Sequence, residues 1–96
     1  MDKYRRTATV PIRARFWEDG ELTNVTTYTI GIEDPSGQLV TADGQTMETS
    51  ETGIYTYDYT SAATAILGKY TAHAFLTKGS HVEVPEYVFE IVKEVT

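Results

Sequence analysis

Two runs of alternating apolar residues, each preceded by a glycine, dominate the second half of the chain. Gly53 precedes a run in which Tyr55, Tyr57 and Tyr59 occupy every second position, and Gly68 precedes a run with the same spacing. A period of two places successive side chains on one face of a β-strand. These runs therefore predict two strands joined by a corner.

The link between these two strands, residues 61–67, consists of small and polar residues followed by Ile66 and Leu67. It is too short for a full amphipathic helix, because short isolated helices are only marginally stable. We expect a single turn in which Ile66 or Leu67 plugs the open end of a sandwich.

The same alternation recurs over residues 7–17, 26–33 and 81–95, and turn sequences such as Asp-Pro-Ser-Gly separate the runs. About seven short strands at regular intervals, with no helical period, predict an all-β antiparallel sandwich. We assign the tyrosine strand and residues 26–33 to one sheet, and the Tyr70 and Phe89 strands to the other. The residues expected in the core are Val10, Ile12, Phe16, Ile30, Ile32, Tyr55, Tyr70, Ala72, Leu76, Phe89 and Ile91.

Charge is divided unevenly along the chain, whose formal net charge is −6. The segment before Trp17 carries five basic residues and one carboxylate, a net +4, whereas the remainder carries three lysines and thirteen carboxylates, a net −10. We expect residues 1–6 to form a basic N-terminal arm and residues 7–96 a single domain. The arm would use Lys3, Arg5 and Arg6 to dock on an acidic protein partner or a neighbouring copy.

Composition argues against nucleic-acid and membrane partners. An acidic body repels phosphates, so no nucleic-acid site is expected. No run approaches the roughly 18 apolar residues of a membrane span, and residues 1–6 lead into polar threonines instead of a hydrophobic signal core. We expect no signal peptide and no transmembrane segment, which is typical of a cytoplasmic or virion protein as made. The absence of cysteine excludes disulfides.

Catalytic chemistry is not indicated by the sequence. His73 and His81 are the two histidines, and a zinc site would need further ligands converging on them. Glu83 shares a strand face with His81, which allows a weak metal contact, but surface histidines are the simpler interpretation. No nucleophile lies in a suggestive context beside either histidine. We expect no enzymatic activity and no cofactor.

Calcium is also not expected, although several carboxylates lie in turns, where some sandwiches bind this ion. No stretch has the alternating Asp-x-Asp-x-Asp pattern of a calcium loop, and these residues are ordinary turn formers. The turn carboxylates are Asp19, Asp34, Asp43 and Glu51.

Residues 32–37 (IEDPSG), 53–57 (GIYTY) and 68–72 (GKYTA) resemble immunoglobulin-like β-sandwich modules of bacterial, archaeal and phage surface proteins. The resemblance covers nearly the whole chain in short motifs. It implies a structural corner in which Gly53 opens the strand entering the corner and the hydroxyl of Tyr70 bonds back to the backbone. It implies no catalytic residue.

The resemblance favours a non-enzymatic structural or protein-interaction module that assembles with copies of itself, as a phage or cell-surface assembly component. The alternative is a carbohydrate- or peptide-binding module in which exposed aromatic residues such as Trp17 and Tyr4 stack on the ligand.

An outward-facing apolar patch is the surface that we expect to associate. If the residues from Tyr70 to Leu76 alternate inward, then His73 and Phe75 point outward, and Val88 and Val92 do so on the last strand. Together Phe75, His73, Val88 and Val92 would form an interaction patch for self-association.

Overall fold

The described part of the chain is built from β-strands. The computed structural model describes residues 2–93, apart from the side chains of Ala42 and Asp43, and contains no helix within that range. The strands are β1 (Asp2–Arg5), β2 (Thr9–Arg15), β3 (Trp17–Glu18), β4 (Glu21–Leu22), β5 (Thr27–Glu33), β6 (Leu39–Thr46), β7 (Glu48–Glu51), β8 (Ile54–Thr60), β9 (Gly68–Lys78), β10 (His81–Glu83) and β11 (Glu86–Val92).

These strands form two main sheets and a two-stranded ribbon. The larger sheet has the order β1-β11-β9-β5-β6, with β10 also paired to β9, and the smaller sheet has the order β2-β8-β7. The ribbon consists of β3 and β4, joined by a two-residue turn in which Asp19 and Gly20 both have positive φ. The prediction of an all-β chain with antiparallel sheets is confirmed, although the larger sheet is mixed because β1 runs parallel to β11.

The number of strands in the described range exceeds the seven or so that were predicted. The ribbon strands contain two residues each, and Pro85 divides the last extended stretch into β10 and β11. Proline interrupts a ladder because it has no backbone N–H to donate.

The predicted assignment of strands to sheets was wrong for residues 26–33. Strand β5 pairs with β9, with Ile30 opposite Ala74, and not with the tyrosine strand β8. The predicted pairing of the Tyr70 and Phe89 strands is confirmed, because these two residues lie opposite each other. Period-two alternation determines which face of a strand is buried, but it does not determine the neighbouring strand.

Residues from both main sheets form one core. Every residue expected in the core is buried, and the core also contains Ala14, Val25, Met47, Tyr59 and Ala74. Met47 was not expected because it lies in an otherwise polar stretch. Its N–H donates to the carbonyl of Tyr28 at 2.9 Å, which turns its side chain inward between β6 and β7.

The link of residues 61–67 does not plug the end of the molecule. Ile66 and Leu67 are both exposed, so that prediction was wrong. The link forms a turn closed by Ala65, whose N–H donates to the carbonyl of Ala62 at 3.1 Å. The hydroxyl of Tyr70 donates to the Ile66 carbonyl at 2.7 Å and fixes the end of the link. The end of the core beneath the link is therefore left open.

Gly53 connects the smaller sheet to the ribbon. Its carbonyl accepts a hydrogen bond from the N–H of Phe16 at 2.9 Å, and its N–H donates to Oδ1 of Asn24 at 2.9 Å. The backbone of Gly53 has a φ of 72°, and a Cβ added there would lie 2.7 Å from the nitrogen of Thr23. A side chain at this position would therefore be strained by the backbone conformation and would also contact the ribbon backbone too closely.

We predict that Gly53→Ala lowers the free energy of unfolding by more than about 2 kcal/mol, because φ strain and the backbone clash both act. The matched control is Gly79→Ala, since Gly79 has a φ of 60° with open space around it. That control should lose about 1 kcal/mol from φ strain alone. Urea unfolding of both variants measures the difference, and equal losses would contradict the role assigned to Gly53.

Candidate functional site

The structure places three of the four residues of the predicted patch at neighbouring positions on one face and leaves Val92 apart. On the outer face of the larger sheet, Val88 lies opposite Thr71, whereas Phe75 lies further along β9. His73 and Glu86 occupy the position between them, with Nδ1 and Oε1 3.7 Å apart. The apolar side chains of the predicted patch are therefore separated by a polar pair.

Val92 is also separate from the others, because it lies opposite Arg5 on β1. Phe75, His73, Val88 and Val92 are all only partly exposed. The alternation that predicted outward side chains does not show which of them are neighbours across strands.

An uncovered stretch of sheet edge lies beside this face. Strand β1 pairs with the last strand only from Phe89 to Val92. No strand in the described range pairs with the outer side of the preceding residues, Val82 to Glu86, which we call the open edge. β10 and β11 keep one continuous register against β9, with His81 opposite Lys78 and Glu86 opposite His73.

Pro85 does not block the open edge. The N–H of Ala74 donates to the carbonyl of Pro85 at 3.0 Å, so the hydrogen-bonding side of Pro85 faces β9. In an antiparallel ladder the N–H and C=O groups of one residue point to the same side, and successive residues alternate. The backbone groups of Val82, Val84 and Glu86 therefore point away from β9, toward the uncovered side.

Apolar side chains accompany these backbone groups. Val82 and Val84 have 56% and 46% of their surface exposed. Val82 lies opposite Thr77 on the outer face, and the continuous register places Val84 opposite Phe75. Exposed valines beside unpaired backbone groups are the features by which one sheet edge recruits another strand.

A polar cluster flanks the open edge at its β9–β10 end. Nζ of Lys78 lies 2.8 Å from Oε1 of Glu18. The ring of His81 lies between two carboxylates, with Nε2 3.0 Å from Glu83 and Nδ1 3.4 Å from Glu18. The cluster joins the ribbon to the β9–β10 hairpin.

Hydrogen bonds within this cluster shift the pKa values of His81 and Glu18. The hydrogen bond to Glu83 makes the largest contribution to raising the pKa of His81 above its ordinary value, and the hydrogen bond to Glu18 comes next. The hydrogen bond from Lys78, followed by that from His81, lowers the pKa of Glu18. His81 therefore keeps its charge to a higher pH, and Glu18 to a lower pH, than each ordinarily does.

The basic residues of the predicted arm belong to the larger sheet. Lys3 and Arg5 lie on β1, where they are opposite Glu90 and Val92. Both are exposed, whereas Arg6 is partly buried and donates through Nε to the carbonyl of Ala65 at 2.9 Å. Residues 2–5 thus form an edge strand, and Met1 lies outside the described residues.

The two aromatic residues considered for ligand binding differ in their surroundings. Trp17 is exposed on the ribbon. Tyr4 is partly buried against the core, where its ring makes an edge contact with Phe89 at 6.2 Å between centroids. Its hydroxyl lies 3.3 Å from that of Tyr87. Tyr4 therefore does not offer an open stacking face.

Neither a cluster of metal-ligating side chains nor a membrane-spanning helix is present among the residues that the structure describes. Residues 2–93, without the side chain of Asp43, contain no group of three or more histidine, aspartate or glutamate residues placed to hold a metal ion. The turn carboxylate Asp43 thus lies outside the described side chains. The same range contains no helix of a length and hydropathy that could span a membrane.

Comparisons of the chain with protein-family models, with curated proteins and with solved structures found no match.

We predict that the polar cluster makes stability depend on pH. A raised pKa in the folded state means that His81 stabilises the protein below its ordinary pKa of 6.5, and this contribution is lost as pH rises through the raised value. The lowered pKa of Glu18 gives a contribution that is present above 4.5 and lost as pH falls. Thermal unfolding of the wild type should show the melting temperature falling as pH rises above about 6.5.

The control for this prediction is His81→Gln, which keeps a polar side chain but cannot become charged. Its melting temperature should show less decline over the same pH range. An identical decline in wild type and variant would show that the cluster does not cause it.

Proposed function

We propose that the chain is an immunoglobulin-like β-sandwich that acts as a non-enzymatic module for protein–protein assembly. The strand order supports this fold. The sheet β11-β9-β5-β6 corresponds to the G-F-C-C′ sheet of such domains, and β2-β8-β7 corresponds to B-E-D. Tyr70 supports it too, because it resembles the tyrosine of a tyrosine corner: it lies near the start of β9, and its hydroxyl bonds to backbone four residues upstream.

The open edge is the single observation that carries the assembly function. Natural proteins cover or charge long sheet edges, because unpaired backbone groups recruit other strands. Here three residues present their backbone outward, and two of them are exposed valines. Strand addition to such an edge is a recurrent mode of protein recognition.

A second copy of the chain is the partner that fits this edge. Two open edges can meet in antiparallel fashion about a two-fold axis centred on Val84, so that Val82 of one copy faces Glu86 of the other. All three outward-facing residues then form hydrogen-bonded pairs, which gives about six hydrogen bonds between copies. Pro85 faces β9, so the contact between copies needs no N–H from it. The valines of both copies then lie side by side on the outer face.

The ligand-binding alternative depends on Trp17, because Tyr4 packs against the core. A single exposed tryptophan is common on protein surfaces. The strand-addition proposal has more support, since it combines backbone direction, exposure and register at one place.

Sedimentation velocity over a range of protein concentrations tests the proposal. We expect wild type to form a dimer at high micromolar concentration, and Val84→Lys to remain monomeric with an unchanged melting temperature. The control is Val40→Lys, because Val40 is also an exposed valine, 42% exposed, on a different part of the larger sheet. This control should dimerise like wild type. A monomeric wild type at both low and high salt, or equal effects of the two lysines, would overturn the proposal.

A further inference from the structure

A cleft of about 400 Å³ lies beneath the link of residues 61–67, toward the opposite end of β9 from the open edge. Its polar lining comes from Asp34, Tyr59 and Tyr70, and its apolar lining includes Val40 and Ile66. Ligand sites of proteins commonly have this size and this mixture of apolar walls with a few polar groups. The cleft exists because the link does not fill the end of the core.

Asp34 is a buried carboxylate with one uncommitted oxygen. The residue is only 8% exposed, and because no described side-chain nitrogen or oxygen is both fully buried and without a hydrogen-bond partner, the uncommitted oxygen opens onto the cleft. Oδ1 accepts hydrogen bonds from Ser36 Oγ at 2.7 Å, Ser36 N at 2.9 Å and Gln38 N at 3.0 Å. Oδ2 accepts none from the residues that the structure describes. The hydrogen bond from the Ser36 side chain, above all, lowers the pKa of Asp34, so the group carries its charge at neutral pH.

Tyr59 contributes a second polar group, a hydroxyl that opens onto the cleft. The residue is 9% exposed, and its hydroxyl has no hydrogen-bond partner within the described range. The rings of Tyr59 and Tyr70 lie against Phe89 in the core, with centroids 6.2 and 5.4 Å away. Both rings are thus engaged in core contacts, which leaves less ring surface for a ligand that binds by stacking, such as a sugar. Burial raises the pKa of Tyr59, which keeps its hydroxyl protonated.

An ionised carboxylate that opens onto a cleft forms strong charge-assisted hydrogen bonds with a cationic donor. Apolar walls beside it suit an aliphatic chain that carries the cation, because lysine and arginine side chains pack their methylene groups against apolar surface. We propose that the cleft binds an alkylammonium or alkylguanidinium group. Oδ2 of Asp34 accepts from the cation, Tyr59 provides a hydroxyl beside it, and Val40, Ala62 and Ile66 contact the methylene chain.

This group has two possible sources, which are a lysine or arginine side chain of a protein partner and a free aliphatic amine or guanidine. The proposal does not depend on the open edge, because the two sites lie toward different ends of β9. Failure of one proposal therefore leaves the other standing.

Chemical-shift titration of isotope-labelled protein by NMR tests the cleft. The probes are n-butylguanidinium, the peptide acetyl-Gly-Arg-Gly-amide, and the same peptide with citrulline, a neutral isostere of arginine. We expect saturable shifts at the amides of Tyr59, Ala62 and Ile66 with the charged probes, and at least tenfold weaker binding of the citrulline peptide. Tighter binding of the arginine peptide assigns the source to a protein side chain, and equal or tighter binding of n-butylguanidinium assigns it to a free ligand.

The diagnostic variant is Asp34→Asn, which retains Oδ1 for the turn but removes the charge. It should weaken binding of the charged probes at least tenfold while the protein stays folded, with a somewhat lower melting temperature because the turn hydrogen bonds to a neutral oxygen are weaker. The matched control is Asp58→Asn, because Asp58 is an exposed carboxylate and its loss changes the net charge equally. Equal weakening by both variants, tight binding of the citrulline peptide, or no saturable shift with either charged probe would overturn the proposal.

Discussion

The backbone contact at Gly53 joins the end of β2 to the start of β8, beside the ribbon. Phe16, at the end of β2, donates to the Gly53 carbonyl, and the Phe16 carbonyl accepts from Thr23 at 3.0 Å after the ribbon has turned back. One step further along β8, the hydroxyl of Tyr55 accepts from the N–H of Val25 at 2.8 Å. The entry of β8, the end of β2 and the approach to β5 therefore meet at a residue without a side chain.

The path of the chain around this contact determines which edges remain uncovered. Because β1 pairs with the last strand and β2 joins the other sheet, the N-terminal residues that the structure describes cover only Phe89 to Val92. The preceding residues, Val82 to Glu86, keep their outward backbone groups. At the other end of β9, the hydrogen bond from Tyr70 to Ile66 holds the link over an unfilled cleft. The open edge thus exists because β1 ends its pairing at Phe89, and the cleft exists because the link does not fill the end of the core.

Alternation predicted the faces of the strands well, because burial of one face imposes a period of two. Every expected core residue from Val10 to Ile91 is buried for this reason. Pairing of β5 with β9 depends on contacts between distant segments, so the pattern within β5 could not reveal it. The open edge could not be predicted either, because the direction of Pro85 follows from its register on β9. Asp34 looked like an ordinary turn former, and its burial depends on the residues packed around the turn.

Amide hydrogen exchange of the open edge, measured by NMR at two protein concentrations, tests the central claim most directly. The amides of Val84 and Glu86 should exchange rapidly in dilute solution and slowly in concentrated solution, because a second copy then pairs with them. The amide of Ala74, which donates to Pro85 within the sheet, should exchange slowly at both concentrations. Exchange of Val84 and Glu86 that is as slow as that of Ala74 in dilute solution, or that does not change with concentration, would contradict the account.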